Sequence, residues 1–86
     1  DSRDFLAEAR RRLDARGLAL ANADITLILE RPKISPHKRA ILDTLAGLLG
    51  VDASRLNLKG KTHEGVDAVG RGEAVEVHVV VLLAPV

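Results

Sequence analysis

The sequence predicts an α+β fold: a mixed β-sheet with helices packed on one face, in the order helix, strand, helix, strand, loop, strand. Three observations predict it. Stretches with helical spacing of apolar residues alternate with stretches of two-residue alternation. A glycine stands just past each helical stretch, at Gly17 and Gly50. The last stretch, Ala74 to Leu83, lines one face with Val75, Val77, Val79, Val81 and Leu83, while its other face runs from Glu76 and His78 to Val80 and Leu82. A strand apolar on both faces over part of its length is expected to lie centrally in a sheet, with its polar end near chemistry or an interface.

The elements follow in order. Asp1 or Ser2 caps a first helix, with Asp4 and Glu8 in its early turns and Arg10, Arg11, Arg12 and Arg16 toward its end, as the helix dipole favours. Phe5, Leu6, Ala9 and Leu13 form its apolar face, and Glu8 pairs with Arg12 one turn on. The arginine cluster reads as a solvated face. Leu18 to Leu29 is a strand, clearest from Asp24, with Ile25, Leu27 and Leu29 on one side and Asp24, Thr26 and Ile28 on the other. Two prolines interrupt the chain at Pro32 and Pro36. Ser35 as cap and Pro36 in the first turn then start a second helix whose core stripe is Ile41, Leu45 and Leu48, widened by Leu42 and Leu49. Asp52 to Arg55 is a turn or a single helical turn, Leu56 to Lys59 a short strand, and Gly60 to Gly72 a polar loop with four glycines.

Composition narrows the function. The chain has 86 residues, one domain at most. Thirteen Lys and Arg against twelve Asp and Glu argue against a nucleic-acid surface. With no Cys there is no disulfide, no thiolate nucleophile and no Cys-ligated metal. Phe5 is the sole aromatic, which excludes base stacking on aromatic rings. At 47% hydrophobic and 29% charged the chain is globular. A core of Ala, Leu and Val in so short a chain is expected to need a partner subunit or further chain. The start at Asp1, without Met, reads as a processed or truncated end. It lacks the form of a signal peptide, and the apolar run Val79 to Val86 is too short to span a bilayer, so a cytoplasmic protein without membrane or nucleic-acid partners is expected.

Polar chemistry concentrates in three segments. Arg31-Pro32-Lys33-Ile34-Ser35-Pro36-His37 leads into a helix start, where free N–H groups favour anions or carbonyl oxygens, and Lys33 adds a mobile charge. A rigid proline-bounded turn is the plainer alternative. Lys59-Gly60-Lys61-Thr62-His63-Glu64-Gly65 combines two lysines, a hydroxyl and glycine in the manner of a phosphate cradle, without the spacing of a Walker A loop, and its alternative is an ordinary polar turn. Gly70-Arg71-Gly72-Glu73 presents a guanidinium between glycines, for an anion or for Glu73 itself. His37, His63 and His78 form no close pair in sequence, so a metal site made by this chain alone is not expected.

These three segments, in this order and before a valine-rich last strand, resemble the 2-C-methyl-D-erythritol 2,4-cyclodiphosphate synthase family. Asp1-Ser2-Arg3 before an arginine-rich helix and Asn22-Ala23-Asp24-Ile25-Thr26 before the Pro-Lys loop fit as well. The resemblance spans all 86 residues but only the C-terminal half of the family's domain. The family's Asp-x-His motif, a further metal-ligating His and a flexible substrate loop have no counterpart in this sequence, so the chain is expected to be a fragment of a longer protein, not competent alone. The resemblance implies a homotrimer with sites between subunits and a cyclisation that releases CMP. It also implies a zinc ion and a magnesium or manganese ion held by family residues absent from this chain.

Position by position, the resemblance places Leu29, Glu30, Arg31, Pro32, Lys33, Ile34 and Ser35 around the cytosine and ribose, with backbone groups reading the base. It places Lys61, Thr62, His63 and Glu64 around the ribose and diphosphate. Thr62 matches a threonine assigned to transition-state stabilisation, and Glu64 an acceptor for a ribose hydroxyl. Arg71, partnered by Glu73, matches an arginine near the trimer axis, where a cavity accepts isoprenoid diphosphates. Two departures stand out. Asp67-Ala68 replaces the family's Gly-Phe, and His63 stands where Thr or Asn is common. A reading of a different class is a non-catalytic trimeric module binding a nucleotide or an isoprenoid diphosphate, and a third is a structural domain without a ligand.

Overall fold

The structure, a computed structural model, describes residues 2–86. Helix α1 (Ser2–Ala15) leads into strand β1 (Leu18–Ile28). Helix α2 (Lys38–Leu49), strand β2 (Leu56–Lys61), the short helix α3 (Asp67–Gly70) and strand β3 (Glu76–Pro85) follow. The sheet order is β2-β1-β3, with β1 parallel to β2 and antiparallel to β3. Parallel neighbours need a crossover, and α2 supplies it. This is the mixed α+β sheet with helices that the alternating periods predict.

The ends of the helices behave as their sequence demands. Gly17 and Gly50 take left-handed φ angles of 68° and 67°, which other residues adopt only with strain. Gly50 N–H returns to the Ala46 carbonyl and closes α2. On α1, Glu8 accepts from Arg12 at 3.1 Å and also from Arg11. These two guanidinium partners hold its carboxyl below the usual range. Asp1, offered as a cap, lies outside the described residues, and Ser2 already lies inside the helix.

Some expectations need correction. Ser35 does not cap α2. A 3-10 turn over Ser35–His37 precedes the helix, with Pro36 in its first turn, and no side chain caps either element. Pro36, which has no N–H to donate, fits this first turn, where no upstream partner is required. Phe5 is 80% exposed, so the apolar face of α1 is carried by Leu6, Ala9 and Leu13. The segment from 60 to 72 is not all loop: β2 continues through Lys61, and residues 67–70 wind into α3.

The largest correction concerns β3. It lies at a sheet edge, and β1 lies at the centre. Two-sided apolarity predicts a central place for β3, yet both of its faces are open in this chain. Val77, Val79, Val80, Val81 and Leu82 are all between 49% and 71% exposed. The buried core sits on the β1–β2 side instead. Ala23, Ala46 and Leu56 pack with Leu20, Leu42, Leu45 and Leu49, and Leu58 is fully buried. An apolar cavity of about 400 Å³ lies between α1, α2 and the helix-facing side of β1 and β3. It lies beside the exposed valines of β3.

Candidate functional site

The parallel pairing of β1 and β2 runs in register from Ala23–Leu56 to Ile28–Lys61, so the two strands end together. Beyond that shared end lie the two loops singled out in the sequence. Leu29 N–H still donates to Lys61 O at 3.0 Å, which carries the pairing one residue further. Ile34 then folds back onto Gly60. A Cβ on Gly60 would stand 3.1 Å from Ile34 Cβ, so the close approach of the two loops depends on the missing side chain.

Between the loops lies a groove of about 460 Å³. Leu29, Glu30, Pro32, Lys33, Ile34 and Ser35 line it from one side, and Lys61 and Thr62 from the other. Segments 29–35, apart from Arg31, and 61–62 are thus brought together. Lys59, Gly60 and Lys38 join them. Lys59 and Gly60 belong to the lysine-rich loop motif, and alternation along β2 puts Lys59 on the face of Lys61. Lys38 carries no such signal, because the sequence points to a helix start at Ser35 rather than three residues later. Arg31, His63, Glu64 and Arg71 lie outside the groove lining.

The electrostatics suit an anion. Lys33, Lys38, Lys59 and Lys61 surround the groove, and Thr62 adds a hydroxyl. A cleft lined by one sign of charge concentrates ligands of the other. Glu30 is the countercharge. Its Oε2 is buried without a hydrogen-bond partner, an arrangement that costs free energy. Thr62 Oγ1 accepts from Glu64 N–H at 3.3 Å, so the hydroxyl proton stays available to a ligand.

The turn after Thr62 is bound to itself. Val66 N–H donates to His63 O at 2.9 Å, and Glu64 and Asp67 adopt left-handed φ angles of 54° and 60°. His63 Nδ1 lies 3.1 and 3.0 Å from the two Asp67 carboxylate oxygens. Asp67 Oδ1 also accepts from Val69 N–H at 2.9 Å, which fixes the start of α3. The hydrogen bond to Asp67 pushes the His63 imidazole above its ordinary value, and the same contact lowers Asp67. Further on, Arg71 binds Glu73 through two contacts, Nε–Oε1 at 3.2 Å and Nη2–Oε2 at 3.3 Å. That local pair is the plainer of the two roles the sequence allows for Arg71. Among the described residues no three His, Cys, Asp or Glu side chains gather into a group able to hold a metal ion. The residues present therefore do not fit the zinc and magnesium or manganese sites that the resemblance implies.

Comparison with known proteins decides the family. The model of the YgbB family matches residues 1–84. The chain belongs to the YgbB family. Among curated YgbB relatives, the chloroplastic 2-C-methyl-D-erythritol 2,4-cyclodiphosphate synthase of Arabidopsis thaliana is 52% identical over 79 residues, which is 92% of this chain and 34% of that protein. The synthase of Azoarcus is 46% identical over 84 residues, covering 98% of this chain and 52% of that one. The chain thus spans about a third to a half of the length of these relatives. Among solved structures, the IspF of Plasmodium falciparum in complex with CDP matches with a TM-score of 0.96 at 34% identity, over 99% of this chain and 55% of that one. The synthase of Plasmodium vivax matches with a TM-score of 0.94 at 42% identity, over 99% of this chain and 57% of that one. No helix among the described residues of this YgbB chain is long and apolar enough to cross a membrane.

Proposed function

We propose that this chain supplies the cytidine and diphosphate side of a cyclodiphosphate synthase. The reaction converts 4-diphosphocytidyl-2-C-methyl-D-erythritol 2-phosphate to 2-C-methyl-D-erythritol 2,4-cyclodiphosphate. An oxygen of the 2-phosphate attacks the β-phosphorus, the bond from that phosphorus to the bridging oxygen breaks, and CMP leaves. The observation that supports this reading is the groove at the joint end of β1 and β2. It unites the proline loop, four lysines and Thr62 in a backbone similar to that of a relative in complex with CDP.

Each part of the groove has a task in this reading. Backbone groups of residues 29–35 hold the cytosine and ribose. Lys59 and Lys61 neutralise phosphate oxygens, where phosphoryl transfer gains most from positioning and charge stabilisation. Thr62 donates its hydroxyl proton to the charge that develops at the β-phosphate. Glu64, two residues on and outside the groove lining, accepts from a ribose hydroxyl. The metal ions fall to residues outside this chain, and none of these tasks runs through them.

A homotrimer in the cytoplasm completes the reading. The bare valines of β3 support the oligomer, since an apolar strand open on both faces calls for cover. At Arg71, an isoprenoid diphosphate would first have to displace Glu73 from a two-contact pair.

Thr62→Ala tests the catalytic part, in a polypeptide that carries this segment together with the family's metal-binding segment. Turnover is expected to fall about a hundredfold, the scale of losing one transition-state donor. CDP affinity, measured by calorimetry, is expected to change less than about threefold. Equal losses in both would make Thr62 a binding residue only. Binding without any cyclisation by the unmodified protein would favour the non-catalytic module.

A further inference from the structure

We propose that His63 is a positioning residue: its hydrogen bond to Asp67 fixes the turn from Thr62 to Val66 so that Thr62 and Lys61 face the groove. The inference rests on the reading of that groove as a nucleotide site. It concerns positions 63 and 67, two of the three at which this chain departs from the pattern it otherwise resembles.

The geometry carries it. β2 ends at Lys61, and the ladder that orders its backbone ends with it, apart from the bond from Leu29. Thr62, His63 and Glu64 therefore need another source of order. Glu64 and Asp67 both hold left-handed φ angles without being glycine, an arrangement that persists only where surrounding contacts impose it. Asp67 provides those contacts in two directions. Its carboxylate receives Val69 N–H at 2.9 Å and Gly70 N–H at 3.4 Å from α3, and meets His63 Nδ1 at 3.0 to 3.1 Å. The buried residues Val69 and Gly70 hold α3 in place, so the pair ties the turn to a fixed point. Because the acceptor is a carboxylate, Nδ1 carries the proton.

The charges around His63 come from three elements. Asp67 is in contact, Glu76 stands at the start of β3, and Glu30 follows the end of β1. All three favour the imidazolium, against the opposing effect of burial. The contribution of His63 is therefore complete below the ordinary imidazole value of 6.5 and is lost as pH rises through its raised folded value. That of Asp67 is present above 3.8 and is lost as pH falls through its lowered value. The turn is best ordered between those limits.

The test compares the unmodified protein with His63→Ala and His63→Asn, by amide hydrogen exchange and by calorimetric titration with CDP across about pH 6 to 9, the range over which a raised imidazole titrates. In His63→Ala, amides of residues 62–66 are expected to exchange about tenfold faster while Leu58 is unchanged, and CDP affinity to fall about fivefold, the loss of one charge-assisted contact at a partly exposed site. His63→Asn keeps a donor and is expected to recover most of the affinity. It is also expected to remove the His63-dependent part of the pH profile, since the titration of CDP itself is common to both proteins. Unchanged exchange at 62–66, equal acceleration at Leu58, or failure of His63→Asn to restore affinity would overturn the proposal. If the unmodified protein does not bind CDP, the nucleotide reading fails, and the exchange data still decide whether His63 orders the turn.

Discussion

Leu58→Ala is expected to lower the unfolding free energy by about 2–5 kcal/mol, the cost of deleting a buried leucine with partial collapse of the cavity. Leu58 is fully buried and stands opposite Ile25 in the parallel ladder. It lies shortly before Lys61 on β2, so the strand that delivers Lys61 and Thr62 to the groove is anchored at this side chain. The folding free energy of domains is commonly only about 5–15 kcal/mol, and this chain buries few large side chains. A loss of this size therefore removes much of what holds it folded. Urea denaturation followed by circular dichroism measures it. Leu82→Ala is the control. Leu82 is 57% exposed in this chain, and in the isolated protomer such a surface truncation is expected to cost less than about 0.5 kcal/mol. A cost at Leu82 as large as at Leu58, varying with protein concentration, would mean that a second copy covers β3. No effect at Leu58 would mean that β2 is not anchored through its buried leucine.

The contrast between Leu58 and Leu82 also explains what the sequence does and does not reveal. Local periodicity locates every helix of two turns or more and every strand, because the 3.6- and 2-residue repeats are written in the chain itself. It cannot place β3 within the sheet. Two-sided apolarity reports that a strand is suited to burial on both faces, and does not say which of its neighbours this chain supplies. The same limit applies to Phe5, which has helical spacing with Leu6, Ala9 and Leu13 but is exposed in this chain. A side chain caps where it reaches a free N–H, as Asp52 does toward Ser54 at 2.9 Å in the stretch that the sequence marks only as a turn or a single helical turn. Ser35 has the right identity, but the 3-10 turn that follows Ile34 moves the helix start beyond its reach.

The groove is legible to the extent that it is made by loops at strand ends. Lys33, Ile34, Ser35, Lys61 and Thr62 belong to segments whose proline, glycine and lysine content set them apart. Lys38 is not legible, because its place depends on how tightly the chain winds after Pro36. The pairing of His63 with Asp67 is hidden for another reason. It needs a left-handed backbone at two non-glycine residues, a conformation that composition does not announce. Identity of single residues points to the loops, whereas the turn after Thr62 is set by contacts that close only once the chain has bent.

Gly70→Ala is expected to open that turn. A Cβ on Gly70 would stand 2.8 Å from Gly65 Cα and 3.0 Å from Gly65 N, and closer still to the Gly65 carbonyl carbon. These are backbone atoms, which cannot swing aside as a side-chain tip can. Gly70 is buried, and its N–H donates to Val66 O at 3.0 Å, so α3 cannot simply withdraw without losing that bond and the Asp67 contacts behind it. The expected cost is about 1–3 kcal/mol, the range for forcing an extra methyl into a packed site. Because the strain falls on residues 62–70, CDP affinity is expected to drop about tenfold or more, the equivalent of about 1.4 kcal/mol, and its loss to exceed what the fall in thermal midpoint implies. Gly65→Ala separates sterics from backbone strain. It has open space around its Cβ but a φ of 79°, so its cost is expected near ~1 kcal/mol, that of the left-handed conformation alone. Calorimetric titration and thermal melting of both variants decide the matter. If Gly70→Ala kept full affinity and melting temperature, the contact between Gly65 and Gly70 would not be what shapes the end of the groove. A larger loss in Gly65→Ala than in Gly70→Ala would place the constraint in the φ of the turn rather than in the packing against α3.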